Sequence, residues 1–139
     1  QGLQAAHEKG VLHLDVKPAN IMLLQKGDVV GDGLDLIGSV LDLGNIAQAA
    51  DILTRVNVKL VDFGQAKCVN PDELAARPDS IAGTPAFMGP EQVRLTTLSP
   101  ATDIWGMSAT LFTLITGALP FKGRSCREMM NNIVADPAP

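Results

Sequence analysis

The spacing of apolar positions changes several times along the chain, and each change predicts an element. Leu3, Ala6 and the stem of Lys9 share one face of a helix that Gly10 stops. Val11, Leu12 and Leu14 then read as a short buried strand or loop, and Ile21 to Leu24 form a run of strand length after Pro18. Lys26-Gly27-Asp28 is a turn signal. Val56, Val58, Leu60 and Val61 predict a further strand, with Asn57 and Lys59 as its polar alternates. Val69 to Ser80 is polar with two prolines and reads as a loop, and Pro85 and Pro90 bracket another irregular stretch. Ser99-Pro100 opens a helix running to about Thr116, which Gly117 ends. Ile104, Trp105, Met107, Leu111, Phe112, Leu114 and Ile115 cover most of its circumference, so it is expected to be a central, buried helix. Ser125 and Glu128 form a capping box for a last helix, with Cys126, Met129, Met130 and Ile133 on one face. Helix, hairpin-like strands, long loop and helices in that order predict an α+β fold, mainly α.

One stretch stands apart. From about Val29 to Arg55 glycine is frequent (Gly31, Gly33, Gly38, Gly44), and there is no histidine, cysteine or aromatic residue. Asn45 can cap a short helix through Ile46, Ala49, Ala50 and Leu53, and Leu34, Ile37 and Leu41 show a weaker form of that spacing. The segment carries no chemistry.

Composition narrows the function. At 139 residues and 46% hydrophobic, the chain can bury a core and is not wholly disordered. Its net charge of -4 makes non-specific nucleic-acid binding a poor candidate. Cys68 and Cys126, with His7 and His13, supply neither a disulfide scaffold nor a metal site of their own. The longest apolar stretch, Met107 to Phe121, is shorter than the ~20 residues of a membrane span and is broken by Gly117 and Pro120.

The residues with chemistry come in order. In His13-Leu14-Asp15-Val16-Lys17-Pro18-Ala19-Asn20, an acid, an amine and an amide sit at relative positions 0, 2 and 5. Phosphoryl transfer uses this set: a carboxylate orients an attacking hydroxyl, an ammonium neutralises the moving group, and an amide oxygen holds magnesium. The plain alternative, a polar turn before a strand, has comparable weight for this motif alone. Asp62-Phe63-Gly64 follows a strand, where an acid is well placed to bind a metal ion and glycine allows a sharp turn. Gly83 to Glu91 (GTPAFMGPE) can be a proline-rich loop and nothing more, and Asp103-Ile104-Trp105 a helix N-terminus.

All four in this order resemble the eukaryotic-type protein kinase family, serine/threonine type. HLDVKPAN is similar to its catalytic loop, VDFGQAK to the metal-binding start of its activation segment, and GTPAFMGPE to that segment's end. DIWGMSATLFTLITGALPF resembles the central helix of its larger lobe. The resemblance implies ATP with Mg²⁺ as cofactors and a protein substrate, with no nucleic acid. By it Asp15 is the catalytic acid, Lys17 contacts the γ-phosphate, and Asn20 and Asp62 hold two magnesium ions. Met22 forms part of the floor under adenine, and His13 and Phe63 stack in a hydrophobic column. Thr84 ties Asp15 and Lys17 to the substrate loop, and with the K-P-x-N form points to Ser/Thr as acceptor. Ser80 lies where activation-loop phosphorylation occurs, though a plain loop serine has equal weight. Glu91 is expected to be structural and to pair with an arginine further along the family's chain. Asp103 is expected to cap its helix and hold the catalytic loop's backbone.

The chain also departs from the family. No G-x-G-x-x-G loop, V-A-I-K-type lysine or paired-glutamate helix is found, so residues 1–139 are expected to be part of the C-terminal lobe, without the small N-terminal lobe. Leu14 replaces the arginine that grips a phosphorylated activation loop. Asn20 and Asp62 are 42 positions apart where the family has a short hairpin, an excess of roughly 25 residues. This predicts an insertion at about 29–55, or an unspliced intron or gene-model error. Gly89 stands for the usual alanine, and Gly106-Met107-Ser108 for the usual S-x-G, where Ser108 is expected to crowd the helix. The expectation is a serine/threonine kinase, intracellular and cytoplasmic, whose isolated 139-residue fragment is inactive. The alternatives are a pseudokinase or scaffold module and a small-molecule phosphotransferase. The last is disfavoured by Gly83 to Glu91.

Overall fold

A computed structural model describes residues 2–25, 56–70 and 75–137. The helices are α1 (Gly2–His7), α2 (Pro90–Val93), α3 (Pro100–Thr116) and α4 (Cys126–Ala135). The strands are β1 (Val11–Leu12), β2 (Ile21–Gln25), β3 (Val56–Leu60) and β4 (Lys67–Cys68), and 3-10 turns cover Pro18–Asn20 and Pro85–Phe87. Helical residues outnumber strand residues among those described, as an α+β, mainly α chain requires. The expected turn at Lys26-Gly27-Asp28 and the helical patterns between Leu34 and Leu53 lie outside the described residues.

Local signals set the boundaries. Gly10 takes φ +68 and its N–H donates to the His7 carbonyl at 2.9 Å, ending α1 in a conformation that costs glycine nothing. The chain passes at once into β1, which pairs antiparallel with β4, Val11 facing Cys68 and Leu12 facing Lys67. β2 and β3 are also antiparallel, from Ile21 opposite Leu60 to Gln25 opposite Val56. The alternation expected of β3 does not appear as burial, since Val58 is 64% exposed. β3 pairs only with β2 among the described residues, and a two-stranded sheet can leave either face to water.

Leu12, Leu14 and Leu98 form a buried apolar cluster with Val69 packed against it. An isolated bridge between Ala76 and Leu98, with N–H···O distances of 3.0 and 2.7 Å, lays the preceding loop beside this cluster.

α3 begins and ends where expected. The Ser99 N–H donates to Thr102 Oγ1 at 3.2 Å, and Gly117, at φ +68, donates to the Thr113 carbonyl at 2.9 Å. Its buried face corrects the sequence expectation. Thr102, Asp103, Gly106, Ala109 and Thr110 are buried, whereas Ile104, Leu111 and Ile115 are 55%, 50% and 71% exposed. The cause is close approach of backbones. A Cβ on Gly106 would lie 3.1 Å from the Val16 carbonyl oxygen and 3.2 Å from Val16 Cβ. Small side chains therefore face the loop that carries Asp15, and the large ones point elsewhere. Ser108 does not crowd the helix: it is exposed, and its hydroxyl donates to the Ile104 carbonyl at 2.8 Å.

At α4, Ser125 Oγ accepts from the Glu128 N–H at 3.2 Å, as expected of an N-cap. Glu128 Oε2 instead accepts from the Arg124 N–H at 2.7 Å, one residue before the expected partner. Ile133 is buried and Met129 and Met130 half-buried, but Cys126 is exposed, so the apolar face is narrower than its spacing implied. Among the described residues no helix is long and apolar enough to cross a membrane.

Candidate active site

The site is built on the loop after β1. Asp103, buried on α3, accepts the His13 N–H at 2.9 Å through Oδ2 and the Leu14 N–H at 2.7 Å through Oδ1. His7 Nε2 of α1 donates to the same Oδ2 at 2.7 Å. Asp103 thus joins α3 to the loop's backbone, and Thr102, not Asp103, meets the Ser99 N–H at the helix start. Leu14 adopts φ +66, an uncommon region for a bulky residue, and presents Asp15 to the other side of the loop.

Asp15 is nine-tenths buried and takes donors on both oxygens. Oδ1 accepts the Thr84 N–H at 3.0 Å and the Thr84 hydroxyl at 2.9 Å. Oδ2 accepts Lys17 Nζ at 2.6 Å and, more weakly, Asn20 Nδ2 at 3.4 Å. Lys17 Nζ also donates to Thr84 Oγ1 at 2.8 Å, so acid, amine and hydroxyl close a ring. Burial pushes the Asp15 carboxyl up, and hydrogen bonds from Lys17 and Thr84, with the Lys17 charge, outweigh it. The net result lies below the usual carboxylate value. The carboxylate is thus ionised and a weak base, suited to orienting a hydroxyl and taking its proton late.

Gly83 makes the junction with Thr84 possible. It sits at φ +115, and a Cβ there would lie 3.1 Å from the Leu14 carbonyl oxygen. The 3-10 turn Pro18–Asn20, with proline at its start, aims Asn20 back at the loop. Asn20 is buried, and its Nδ2 donates to the Asp15 carbonyl at 2.8 Å. That commits the nitrogen and leaves the amide oxygen as the atom able to meet a hard cation.

His13 is fully buried, with its rings and nitrogens all engaged. Nδ1 accepts the Asp15 N–H at 3.3 Å, so the proton belongs on Nε2, which donates to the Val61 carbonyl at 3.1 Å. The Phe63 ring packs on it at 4.5 Å between centroids, tilted by 58°. This contact brings the segment after β3 to the loop, and a Val61 N–H to Asn20 carbonyl bond of 2.9 Å does the same.

The structure does not bring every expected residue together. Asp62, exposed and at φ +61, turns Oδ1 to the Gly64 N–H at 3.1 Å and makes no hydrogen bond to Asp15, Lys17 or Asn20. Met22 lies half-buried on β2 opposite Lys59. Ser80 is exposed and borders a cavity of about 210 Å³, along with Leu14, Lys67, Asp79, Gln92 and Leu98. Lys67 Nζ there meets the Arg77 carbonyl at 3.2 Å and Asp79 Oδ2 at 3.4 Å. Glu91 forms no ion pair among the described residues, and its carboxylate folds back toward Gly89.

The donor set fits magnesium chemically. An amide oxygen and carboxylates are hard ligands, and Mg²⁺ is commonly held by one or two carboxylates together with substrate phosphates. No three His, Cys, Asp or Glu side chains converge as a ready metal cage among the described residues.

Three residues that shape the site receive no role from the sequence: His7, Gln92 and Thr110, the last within the stretch that resembles the central helix. Gln92 Nε2 donates to the Leu14 carbonyl at 2.9 Å, and Thr110 Oγ1 lies 3.4 Å from the Val16 carbonyl. His7 and Thr110 are polar residues on predicted helices, whereas Gln92 falls where no helix is predicted, and the sequence names a partner for none of them.

A family model described as the protein kinase domain matches residues 1–137. The chain is 31% identical over 127 residues to death-associated protein kinase dapk-1 of Caenorhabditis elegans, covering 91% of this chain and 7% of that protein. It is 30% identical over 135 residues to serine/threonine-protein kinase ATG1a of Arabidopsis thaliana, covering 97% of this chain and 17% of that one. It is also 30% identical to the "probable serine/threonine-protein kinase PknB" of Corynebacterium glutamicum, covering all of this chain and 17% of that protein. The chain thus spans less than a fifth of the length of each of these relatives. The motif order, the Asp15–Lys17–Thr84 ring and this match agree, and the chain belongs to the protein kinase domain family.

Proposed function

We propose that this chain is the catalytic-loop part of a serine/threonine protein kinase, moving the γ-phosphate of ATP to a protein hydroxyl. The observation that carries the reading is the ring in which Lys17 Nζ bridges Asp15 Oδ2 and Thr84 Oγ1 at 2.6 and 2.8 Å. A weakly basic carboxylate beside a mobile ammonium is what a loose phosphoryl-transfer transition state needs. Asp15 orients the acceptor hydroxyl and receives its proton. Lys17, on a flexible stem, leaves Thr84 to meet phosphate oxygens. Asn20 and Asp62 would hold magnesium, which would supply charge neutralisation along the phosphates; Asp62 has a second carboxylate oxygen besides the Oδ1 that accepts the Gly64 N–H. Met22 is assigned to the adenine floor and Ser80 to regulation.

The segment belongs, in this reading, to the larger C-terminal lobe. Residues from about 29 to 55 are an insertion, supported by Gln25 and Val56 being direct cross-strand partners. Loop-closure cost grows slowly with length, so a long insertion between paired strands is tolerated. The 139-residue piece on its own is inactive, since the parts that orient ATP are not in its sequence.

The test is transfer of labelled γ-phosphate to Ser/Thr peptides by the full-length protein carrying this chain. Asp15→Asn should lower the rate by about 10²–10⁴-fold. Nucleotide binding with no transfer in the unaltered protein would give the non-catalytic binding-module reading instead. Transfer by the 139-residue piece alone would overturn the fragment's assigned inactivity.

A further inference from the structure

Gln92 lies on α2, is 6% exposed and stands 78 positions from the residue it reaches. Its Nε2 donates to the Leu14 carbonyl at 2.9 Å, and its Oε1 accepts the Gly89 N–H at 2.9 Å. A carbonyl only accepts and an N–H only donates, so these partners allow one orientation of the amide. Leu14 holds a left-handed φ of +66, a conformation that a bulky side chain keeps only if the surroundings impose it. Its peptide groups are gripped at both ends, the N–H by Asp103 and the carbonyl by Gln92. The segment from Gly83 through α2 therefore touches the Asp15 loop at two points: Thr84 on the carboxylate and Gln92 one residue before it.

We infer that Gln92 is a positioning residue, whose amide between the Gly89 N–H and the Leu14 carbonyl fixes the Leu14 backbone and so the place of Asp15. An ionised glutamate there would set oxygen against oxygen, and methionine would fill the space while donating nothing. The effect on rate rests on the phosphotransfer reading; the mechanical coupling does not.

The experiment uses the full-length protein with Gln92→Met, and separately Gly89→Ala and Gly89→Pro. Gly89 has φ -73, which proline adopts readily. Alanine and proline add the same Cβ beside the Glu91 carboxylate, but only proline removes the N–H that Gln92 accepts. Two quantities are read: amide hydrogen exchange over residues 11–20, and kcat with KM for ATP and peptide. Gln92→Met should speed exchange around Leu14–Val16 by about tenfold, the equivalent of one lost hydrogen bond. It should lower kcat by roughly 10–100-fold, as expected of a misplaced catalytic group, with KM for ATP within about twofold. Gly89→Pro should move both readouts the same way relative to Gly89→Ala, which covers the case in which Gln92→Met does not fold. Faster exchange confined to 88–93, with 11–20 unchanged, overturns the inference. If the unaltered protein transfers no phosphate, the phosphotransfer reading has failed, and the exchange comparison alone decides Gln92.

Discussion

Thr84 gives both its N–H and its hydroxyl to a single oxygen of Asp15, at 3.0 and 2.9 Å, across 69 positions of sequence. The backbone donor survives any substitution but proline, whereas the hydroxyl survives only in serine. Thr84→Val keeps the shape and removes only the oxygen that also receives Lys17. We expect kcat of the full-length protein to fall about tenfold, the worth of roughly one hydrogen bond, with Thr84→Ser close to wild type. Steady-state kinetics of the two variants side by side check this.

The depressed Asp15 pKa carries a sign that can be measured. A carboxyl whose folded pKa is below its unfolded value binds more protons unfolded, so stability rises with pH through that window. Its contribution is complete above the ordinary carboxylate range and is lost as pH falls through the lower, folded value. Tm of wild type minus Tm of Asp15→Asn should therefore become less positive, or more negative, as pH drops from neutral into the acid range. A difference independent of pH would contradict the geometry around Asp15.

Asp103 is almost wholly buried and accepts hydrogen bonds from His7 and two backbone N–H groups. Asp103→Ala leaves the His13 and Leu14 N–H groups without their acceptor, and should cost about 3–5 kcal/mol in a denaturant titration. His7→Ala removes one donor and leaves the loop's own bonds in place, so it should cost less. Equal losses would mean that His7, not the loop, is the chief partner of the carboxylate.

Gly106 and Ser108 lie two residues apart on α3 and should respond oppositely to alanine. At Gly106 a Cβ would press on the Val16 carbonyl at 3.1 Å, and that loop is held by Asp103, Gln92 and Thr110 and has little room to give. Overpacking of about 1–3 kcal/mol should outweigh the ~1 kcal/mol that alanine gains over glycine in a helix. Ser108→Ala, at an exposed site, should be neutral or stabilising. Thermal melts of both variants decide the matter.

Much of the local structure was legible because it depends on neighbours in sequence. Ser99, Gly117 and Ser125 mark element ends through backbone conformation and caps, and the structure places those ends where expected, whereas α1 ends at His7 and a turn leads on to Gly10. The loop residues Asp15, Lys17 and Asn20 were legible by type and spacing. Burial was less legible. The breadth of apolar positions on α3 suggested an all-round buried helix, yet the residues that meet the Asp15 loop are the small and polar ones. Hydrophobicity says that a side chain favours leaving water, but not which face of a helix a particular backbone will approach.

The sequence by itself determined the order of elements other than β4 and α2, the identity of the acid, amine, amide and hydroxyl, and the family to which they belong. It could do so because helix ends, turns and chemical types are properties of a few adjacent residues. Only the tertiary structure decided that Thr84 and Lys17 close on Asp15, that Asp62 turns to its own Gly64 N–H, and that Asp103 and Gln92 grip Leu14 from two helices. These are pairings across long stretches of chain. Each depends on where two backbones come within a hydrogen bond of one another, which no local pattern encodes.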